Sequence, residues 1–297
     1  MRPSERRGAA RYETLGAVLC AFEDSADFLR LAPRSRADYT RQIAKIQTDF
    51  ADFPLARLTD RRTRGEFLAW RDRLAIRSVR QADYAYTVLA RTLSWACERG
   101  LVPLNPCEKG GRLYRGNRAD KVWTEKDEAA FVAAASPPLR LALQLALWTG
   151  QRQGDLLRLT WSAYDGARIR LSQSKTGVRV VLPVGGPLKA TLDSAKRESS
   201  VILVNLDGKP WTPDGFRASW AKACKRAGVE GLTFHDLRGT AVTRLALAGA
   251  TEAEIATLTG HSLRDVRSIL DANYLQRDPA LAESAIRKLE MRARTLA

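Results

Sequence analysis

Apolar side chains recur at spacings of three and four residues through the first hundred residues of this 297-residue chain. In the first such stretch, Leu15, Leu19 and Phe22 follow this spacing. Residues spaced in this way lie on one face of a helix and can be buried together. The pattern predicts four helices, over residues 11–31, 35–51, about 60–77 and 80–99. Helices of this length bury their apolar faces against one another, so we expect a small N-terminal bundle.

The composition changes after this region. Residues 105–122 contain glycines, a proline and many charged residues, which is typical of a linker. A second domain is expected to begin at Trp123, with Thr124 as a helix N-cap. Within it, residues 168–172 and 178–182 read as two short strands around a Ser-Lys-Thr-Gly turn. The predicted fold is mainly α with a small β-hairpin, in three segments: a helical domain at 1–107, a basic linker at 108–122 and an α+β domain at 123–297.

The chain is strongly basic, with a formal charge of +16 at neutral pH. The positive excess is present in both halves of the sequence, which favours a protein that contacts double-stranded DNA from two sides. No apolar run is long enough for a membrane span, so no membrane partner is expected. The four cysteines show no Cys-x-x-Cys pairing, which favours free thiols in a reducing cytoplasm. No cluster of carboxylates suited to Mg²⁺ is evident, so neither a metal nor another cofactor is predicted.

Both histidines of the chain lie in short motifs beside residues suited to phosphate chemistry. In chain order, the motifs are Thr149-Gly-Gln-Arg152, Ser174-Lys175-Thr-Gly177, Thr233-Phe-His235-Asp-Leu-Arg238 and Thr259-Gly-His261-Ser, followed by Tyr274. Taken singly, each residue has an ordinary structural explanation, such as a surface arginine or a buried histidine. Their co-occurrence in this order favours a functional site.

These residue types supply what an attack on a DNA phosphate needs. Charge spreads over the non-bridging oxygens in the transition state, and the guanidiniums of Arg152 and Arg238 suit those oxygens. A tyrosine hydroxyl can act as nucleophile, although its ordinary pKa of about 10 means that it needs a base or a positive site. The departing 5′-oxygen needs a proton, for which Lys175 is well placed, and His235 and His261 could move protons or bind phosphate.

With these motifs, the chain resembles the tyrosine recombinases of the phage integrase family over nearly its whole length. The resemblance implies an N-terminal helical core-binding domain followed by a catalytic domain. It implies that Arg152 and Arg238 bind the phosphate, that Lys175 protonates the leaving oxygen and that His235 transfers a proton. It further implies that His261 bonds the scissile phosphate and that Tyr274 forms a 3′-phosphotyrosyl link. Asp155 matches an acidic position that helps to hold such a site together.

The family resemblance also implies the partners. Such enzymes recombine specific sites as homotetramers on two DNA duplexes, without a metal or nucleotide cofactor. In the N-terminal bundle, we expect DNA contacts from four basic residues, namely Arg41, Lys45, Arg80 and Arg91. Two alternatives stay open at this point: a type IB topoisomerase that relaxes one duplex, and a DNA-binding accessory protein without catalytic activity.

Overall fold

The structure of the protein is a computed structural model that describes residues 12–114, 116 and 121–273. Near the C-terminus it also describes residues 283, 286, 287, 289 and 290. The chain divides into two compact units, with the division between Gly116 and Asn117. Each unit has a hydrophobic core of its own.

Helices make up the first unit: α1 (Leu15–Glu23), α2 (Ala26–Leu29), α3 (Pro33–Phe50), α4 (Arg61–Ala75) and α5 (Val79–Glu98). The last of these, α5, is the centre of the unit, because α1, α3 and α4 all pack against it. A cluster of edge-on aromatic rings fills the space beside α4, where Phe50 lies 5.0 Å from Phe67 and 5.5 Å from Trp70 between ring centroids. The predicted helical bundle is therefore present.

The prediction of one helix over residues 11–31 is wrong, because the chain turns between α1 and α2. Ser25 adopts an extended conformation at the turn, and its hydroxyl oxygen accepts a hydrogen bond from the backbone N–H of Phe28. The same hydroxyl donates to the carbonyl oxygen of Phe22, at 2.6 Å. Serine competes for backbone groups in this way and so favours helix ends over helix interiors. Phe22 and Phe28 are both buried and meet edge to face across the turn.

The first part of the proline- and glycine-containing segment is held against the first unit. The guanidinium of Arg64 donates to the carbonyl oxygens of Pro106 and Glu108, at 2.9 and 2.7 Å. Asp83 on α5 accepts from the backbone N–H groups of Leu113 and Tyr114, at 3.1 and 2.8 Å. These side-chain bonds replace the backbone pairing that an irregular segment lacks. The domain boundaries predicted from composition remain a prediction.

The second unit contains eight α-helices and one hairpin among the described residues: α6 (Glu125–Ala134), α7 (Pro137–Thr149), α8 (Gln153–Leu156), β1 (Arg168–Ser172), β2 (Arg179–Pro183), α9 (Gly186–Ser194), α10 (Pro213–Ala227), α11 (Asp236–Leu247), α12 (Glu252–Thr259) and α13 (Leu263–Asn273). The hairpin is antiparallel, with Arg168 opposite Pro183 and Ser172 opposite Arg179. Helix α10 packs on α6, and α11 packs on α7. These two helix pairs form the main helix–helix contacts of the unit.

Several helix ends follow from side chains that are visible in the sequence. Thr124 and Thr251 each accept from the backbone N–H three residues on, while Asp127 and Glu254 bond back to them. These reciprocal bonds satisfy N–H groups that have no partner within the helix. The start of α11 differs from the helix start that the sequence predicts.

In the sequence, Thr233 with Asp236 three residues on predicts a helix N-cap at Thr233, but the α-helix begins at Asp236. Tight turns precede it, because the N–H groups of Asp236, Leu237 and Arg238 each bond to the carbonyl oxygen three residues before. Asp236 still accepts from the N–H and hydroxyl of Thr233, at 2.8 and 2.7 Å. The predicted pair thus forms, but it closes a turn before the α-helix instead of its first α-helical turn. No helix in the described residues is both long and apolar enough to cross a membrane.

Candidate active site

Arg152 is presented by a break between two helices. Gly150, in the left-handed region at φ +62°, ends α7, and the chain is extended at Arg152 before α8 begins. Glycine adopts this conformation without the steric cost that other residues incur. The Arg152 side chain is half-buried, and its Nη1 donates to Oε1 of Gln173 at 2.7 Å.

Arg238 lies in the first turn of α11 and is only 4% exposed. Its Nη1 donates to the carbonyl oxygens of Gly150 and, at 2.9 Å, of Thr259. Its Nε donates to Nε2 of His261 at 2.9 Å. The remaining nitrogen, Nη2, is buried and has no hydrogen-bond partner among the described residues. Buried polar groups are nearly always bonded, so an oxygen supplied by a ligand would satisfy this donor.

His261 follows a second left-handed glycine, Gly260, at the end of α12. The hydroxyl of Thr259 donates to the carbonyl oxygen of Ile255 at 2.6 Å, so its Oγ1 is left to accept from Nδ1 of His261 at 2.8 Å. Nδ1 therefore carries the hydrogen, and Nε2 is the acceptor that faces Arg238. The histidine is thus neutral and fixed in one tautomer in this structure.

The site concentrates positive charge in a largely buried position. Burial and the guanidiniums of Arg238 and Arg152 lower the pKa of His261 from 6.5 to about 3. Burial and the charge of Arg152 lower the pKa of Arg238 from 12.5 to about 9. The carboxylate of Asp265 opposes both shifts. Cations that destabilise one another in this way are stabilised by a bound anion.

His235, which is also predicted to transfer a proton, directly precedes α11, and its side chain is exposed. It contributes to the lowered pKa of His261, which places it within electrostatic range of the buried cations. It also lines a cavity of about 300 Å³ with Gln153 and Trp220. The structure therefore brings His235 to the same side of the unit as Arg238 and His261.

Asp155 connects α8 to the hairpin. Its buried Oδ1 accepts from the backbone N–H and the hydroxyl of Ser174, at 3.0 and 2.8 Å, and from Nη2 of Arg158 at 2.9 Å. The next residue, Lys175, is exposed in the turn between β1 and β2. The hairpin turn is therefore anchored at Ser174, while its lysine faces solvent.

Tyr274, the expected nucleophile, lies outside the described residues. It directly follows α13 in the sequence, and that helix packs on α11 and α12 through the buried side chains of Val242, Ile255 and Val266. The helix that precedes Tyr274 thus starts two residues after His261.

The four basic residues expected to contact DNA are all exposed on the first unit. Arg41 pairs with Asp38, and Lys45 donates to Oε1 of Gln42 at 3.2 Å, both within α3. On α5, Arg80 lies over the Tyr114 ring at 5.7 Å, and Arg91 borders a small cavity lined by Asp27 and Glu98. Their exposure is compatible with DNA contact, which stays a prediction.

Sequence reasoning missed the buried glutamines beneath the site. Gln151 and Gln173 are 1% and 0% exposed, and Oε1 of Gln151 accepts from Nε2 of Gln173 at 2.7 Å. Gln151 also donates to the carbonyl oxygens of Thr149 and Leu258, at 3.0 and 3.2 Å. The one available signal is their position, since Gln151 directly precedes Arg152 and Gln173 directly precedes the Ser-Lys-Thr-Gly turn.

The second unit matches a known protein family. Residues 121–277 match the model of the phage integrase family. The chain belongs to this family. The matched stretch includes the six residues from Arg152 to Tyr274 that were predicted to form the site. The resemblance found in the sequence motifs is confirmed.

Known phage integrases and their solved structures resemble this family member over most of its length. The integrase of Escherichia phage HK022 is 27% identical over 240 residues, which cover 76% of this chain and 66% of that protein. The chain thus spans about two thirds of the length of this curated relative.

Two solved structures share the fold. A lambda integrase dimer bound to a COC′ core site matches with a TM-score of 0.72 and 24% identity, covering 84% of this chain and 95% of that one. A lambda integrase tetramer bound to a Holliday junction matches with a TM-score of 0.72 and 24% identity, covering 88% and 82%. The predicted fold, mainly α with a small two-stranded sheet, is confirmed.

Proposed function

We propose that this phage integrase family member is a site-specific DNA recombinase that cleaves and rejoins DNA through a 3′-phosphotyrosyl intermediate. The observation that carries the proposal is the cluster of Arg152, Arg238 and His261. Burial and the charge of Arg152 lower the pKa of Arg238, and burial and both guanidiniums lower the pKa of His261. Nη2 of Arg238 is buried without a partner among the described residues. A phosphate oxygen bound there would complete the hydrogen bonding of Arg238 and neutralise the excess charge.

Each group would contribute one part of the chemistry. Tyr274 attacks the phosphorus, and the bond to the 5′-oxygen breaks in line with the new bond. Arg152 and Arg238 stabilise the charge on the non-bridging oxygens. Lys175, on the hairpin turn, donates a proton to the departing 5′-oxygen, and His235 assists proton transfer from the tyrosine. The 5′-hydroxyl of a partner strand then attacks the phosphotyrosine, which restores Tyr274 and joins the strands.

His261 is suited to bind the scissile phosphate, but its Nε2 accepts from Arg238 in this structure. When phosphate takes the Nε donor of Arg238, Nε2 of His261 is released and, once protonated, can donate to the same phosphate. Asp155 then supports the site indirectly, because it joins α8 to the turn that carries Lys175. None of these steps requires a metal ion or a nucleotide cofactor.

We infer that double-stranded DNA is the partner and that exchange takes place in a homotetramer on two duplexes. The lambda integrase tetramer on a Holliday junction supports this assembly. The first unit would supply the second DNA-binding surface, with Arg41, Lys45, Arg80 and Arg91 on α3 and α5. The division at Gly116 supports separate domains, a helical one at 1–107 and a catalytic one at 123–297, joined by 108–122. A cytoplasmic location, where the DNA substrate is found, completes the proposal.

Covalent trapping on a DNA substrate tests the proposal directly. Because the target site is unknown, nicked suicide substrates made from DNA flanking the gene would be screened with wild-type protein and Tyr274→Phe. We expect a 3′-phosphate adduct with wild-type protein that is absent with Tyr274→Phe. An adduct that persists in Tyr274→Phe would identify another nucleophile, and specific binding without an adduct would contradict recombinase activity.

Joined recombinant strands distinguish recombination from its nearest alternative. A type IB topoisomerase would form the same adduct but only relax a single duplex. When two duplexes with different labels are mixed, the wild-type protein should therefore form strands that carry both labels. No feature of the described residues favours either the topoisomerase or the accessory-protein alternative.

A further inference from the structure

One uncharged side chain lies at the junction of three segments that carry proposed site residues. Gln173 is fully buried where β1 enters the hairpin turn, two residues before Lys175. Its Oε1 accepts from Nη1 of Arg152 at 2.7 Å and from the hydroxyl of Thr176 at 2.9 Å. Its Nε2 donates to Oε1 of Gln151 at 2.7 Å and to the carbonyl oxygen of Thr259 at 2.8 Å. Both acceptor sites and both donor hydrogens are therefore used.

The bonds of Gln173 connect Arg152, the hairpin turn and the residues that precede His261. One end holds Arg152 and the hairpin turn, and the other end holds the carbonyl of Thr259, two residues before His261. That carbonyl also accepts from Nη1 of Arg238 at 2.9 Å. The backbone N–H of Gln173 donates to the carbonyl oxygen of Val178 across the hairpin, so the backbone that carries this side chain is fixed to the hairpin.

The backbone of Gly260 approaches the amide of Gln173 closely. A Cβ atom placed on Gly260 would lie 2.4 Å from Nε2 of Gln173, well inside van der Waals contact. The turn before His261 therefore rests directly on the glutamine. Because all of its hydrogen-bonding groups are used, the Gln173 side chain has a fixed orientation and can orient the side chains bonded to it.

The chemical type of the side chain also matters. A carboxylate at this position would bind Arg152 more strongly, but it would cancel the charge that the phosphate needs. It would also face the carbonyl oxygen of Thr259 without a hydrogen to donate. A carboxamide orients the guanidinium through an acceptor oxygen and leaves its full positive charge available.

We propose that Gln173 is a positioning residue that fixes the orientation of Arg152 and links it to the hairpin that carries Lys175. This inference rests on the proposed function, because it assigns Arg152 to the phosphate. Gln173 itself does not touch the DNA. Its contribution is made through Arg152, so it should affect the rate of cleavage more than the affinity for DNA.

The test compares Gln173→Met with a matched control, Gln144→Met. Gln144 is a half-buried glutamine on α7 whose Oε1 accepts from the hydroxyl of Thr191 on α9, so its substitution also removes a hydrogen bond between two elements. Loss of a bond to a charged donor predicts that Gln173→Met slows adduct formation at saturating DNA by about 10- to 100-fold. Its DNA dissociation constant should change by less than about threefold. Gln144→Met should leave both quantities unchanged.

Two further measurements show that the effect passes through Arg152. In an Arg152→Ala background, Gln173→Met should add less than about threefold to the loss, because the group that it positions is gone. A substrate with sulfur at the 5′-bridging position, which leaves without a proton, should not restore the rate of Gln173→Met. Full additivity of the two substitutions, or restoration by sulfur, would overturn the assignment to Arg152.

A shorter amide guards against simple loss of folding. Gln173→Asn keeps the functional group but cannot reach Arg152 and Thr259 at the same time, so we expect the same loss of cleavage with a preserved melting temperature. A wild-type rate in both Gln173→Asn and Gln173→Met would overturn the proposal, and unfolding of both would overturn it in favour of a structural role. Absence of an adduct with the wild-type protein would instead refute the proposed function, and this inference with it.

Discussion

Arg238 and Lys175 are cations proposed to act on the same phosphate, yet the structure treats them in opposite ways. Arg238 is 4% exposed and makes three hydrogen bonds, whereas Lys175 is exposed on a hairpin turn. A group that stabilises charge gains from being fixed in a dry site before the substrate arrives. A group that delivers a proton must reach the leaving oxygen, whose position is set only when DNA is bound. The difference indicates that the group that stabilises charge is in place before DNA binds, whereas the proton donor reaches its position only when DNA is bound.

The largest effect is expected at the buried cation. Arg238→Ala should reduce adduct formation by about 1,000-fold or more, because a preorganised charge donor to the transition state is lost. Quench-flow or gel assays of single-turnover cleavage would measure it, with circular dichroism to confirm folding. Cleavage within tenfold of wild type would contradict the central role of the buried cation.

Lys175→Ala should slow cleavage by about 100- to 10,000-fold, as expected for loss of a general acid. Because its side chain is exposed, the melting temperature should stay within about 1 °C of wild type. A 5′-bridging sulfur substrate should restore most of the rate, since the thiolate leaves without a proton. Failure of this rescue would assign the proton to another group and remove the contrast with Arg238.

The pH dependence of stability provides a smaller and independent test of the buried part of the site, at His261. The pKa of His261 is about 3 in the folded protein and 6.5 in the reference state, so the unfolded chain binds more protons between these values. The free energy of unfolding should therefore fall as the pH falls from 6.5 towards 3, by at most about 1.4 kcal/mol per pH unit from this residue. Urea unfolding of wild type and His261→Asn would show it, and equal pH slopes for the two proteins would contradict the burial of a neutral histidine.

The smallest effects are expected from single residues of the first unit. Each of Arg41→Ala, Lys45→Ala, Arg80→Ala and Arg91→Ala should weaken DNA binding a few-fold and reduce the slope of log K against log salt by about 1. Titrations at several salt concentrations would measure this, with Arg62→Ala, an exposed arginine paired with Asp60, as a comparison. A variant with an unchanged slope would not contact a DNA phosphate.

The parts of the molecule that sequence analysis predicted depend on short-range chemistry. The N-cap at Thr124 and the hairpin around Lys175 involve residues within a few positions of one another, so the local pattern suffices. The turn at Ser25 was missed because an apolar helical repeat continues through it, and a cap was read as a helix interior.

The buried glutamine network was beyond sequence reasoning for a different reason. Gln173 and Thr259 are 86 positions apart, and only folding brings them to 2.8 Å. The same applies to Arg64, whose bonds to the segment after α5 span more than 40 positions. A glutamine or arginine in such a place has no local signature, whereas phosphate-binding motifs are recognised by their residue types and order.

The two left-handed glycines of the site have a consequence for its evolution. A Cβ on Gly150 would lie 2.8 Å from Cγ2 of Thr259, and one on Gly260 would lie 2.4 Å from Gln173. Both positions also have positive φ, so other residues are disfavoured twice, by conformation and by space. Saturation libraries at 150 and 260 should return glycine almost exclusively. New target preferences must therefore arise by sequence drift elsewhere, while these two turns stay fixed as the chain diversifies.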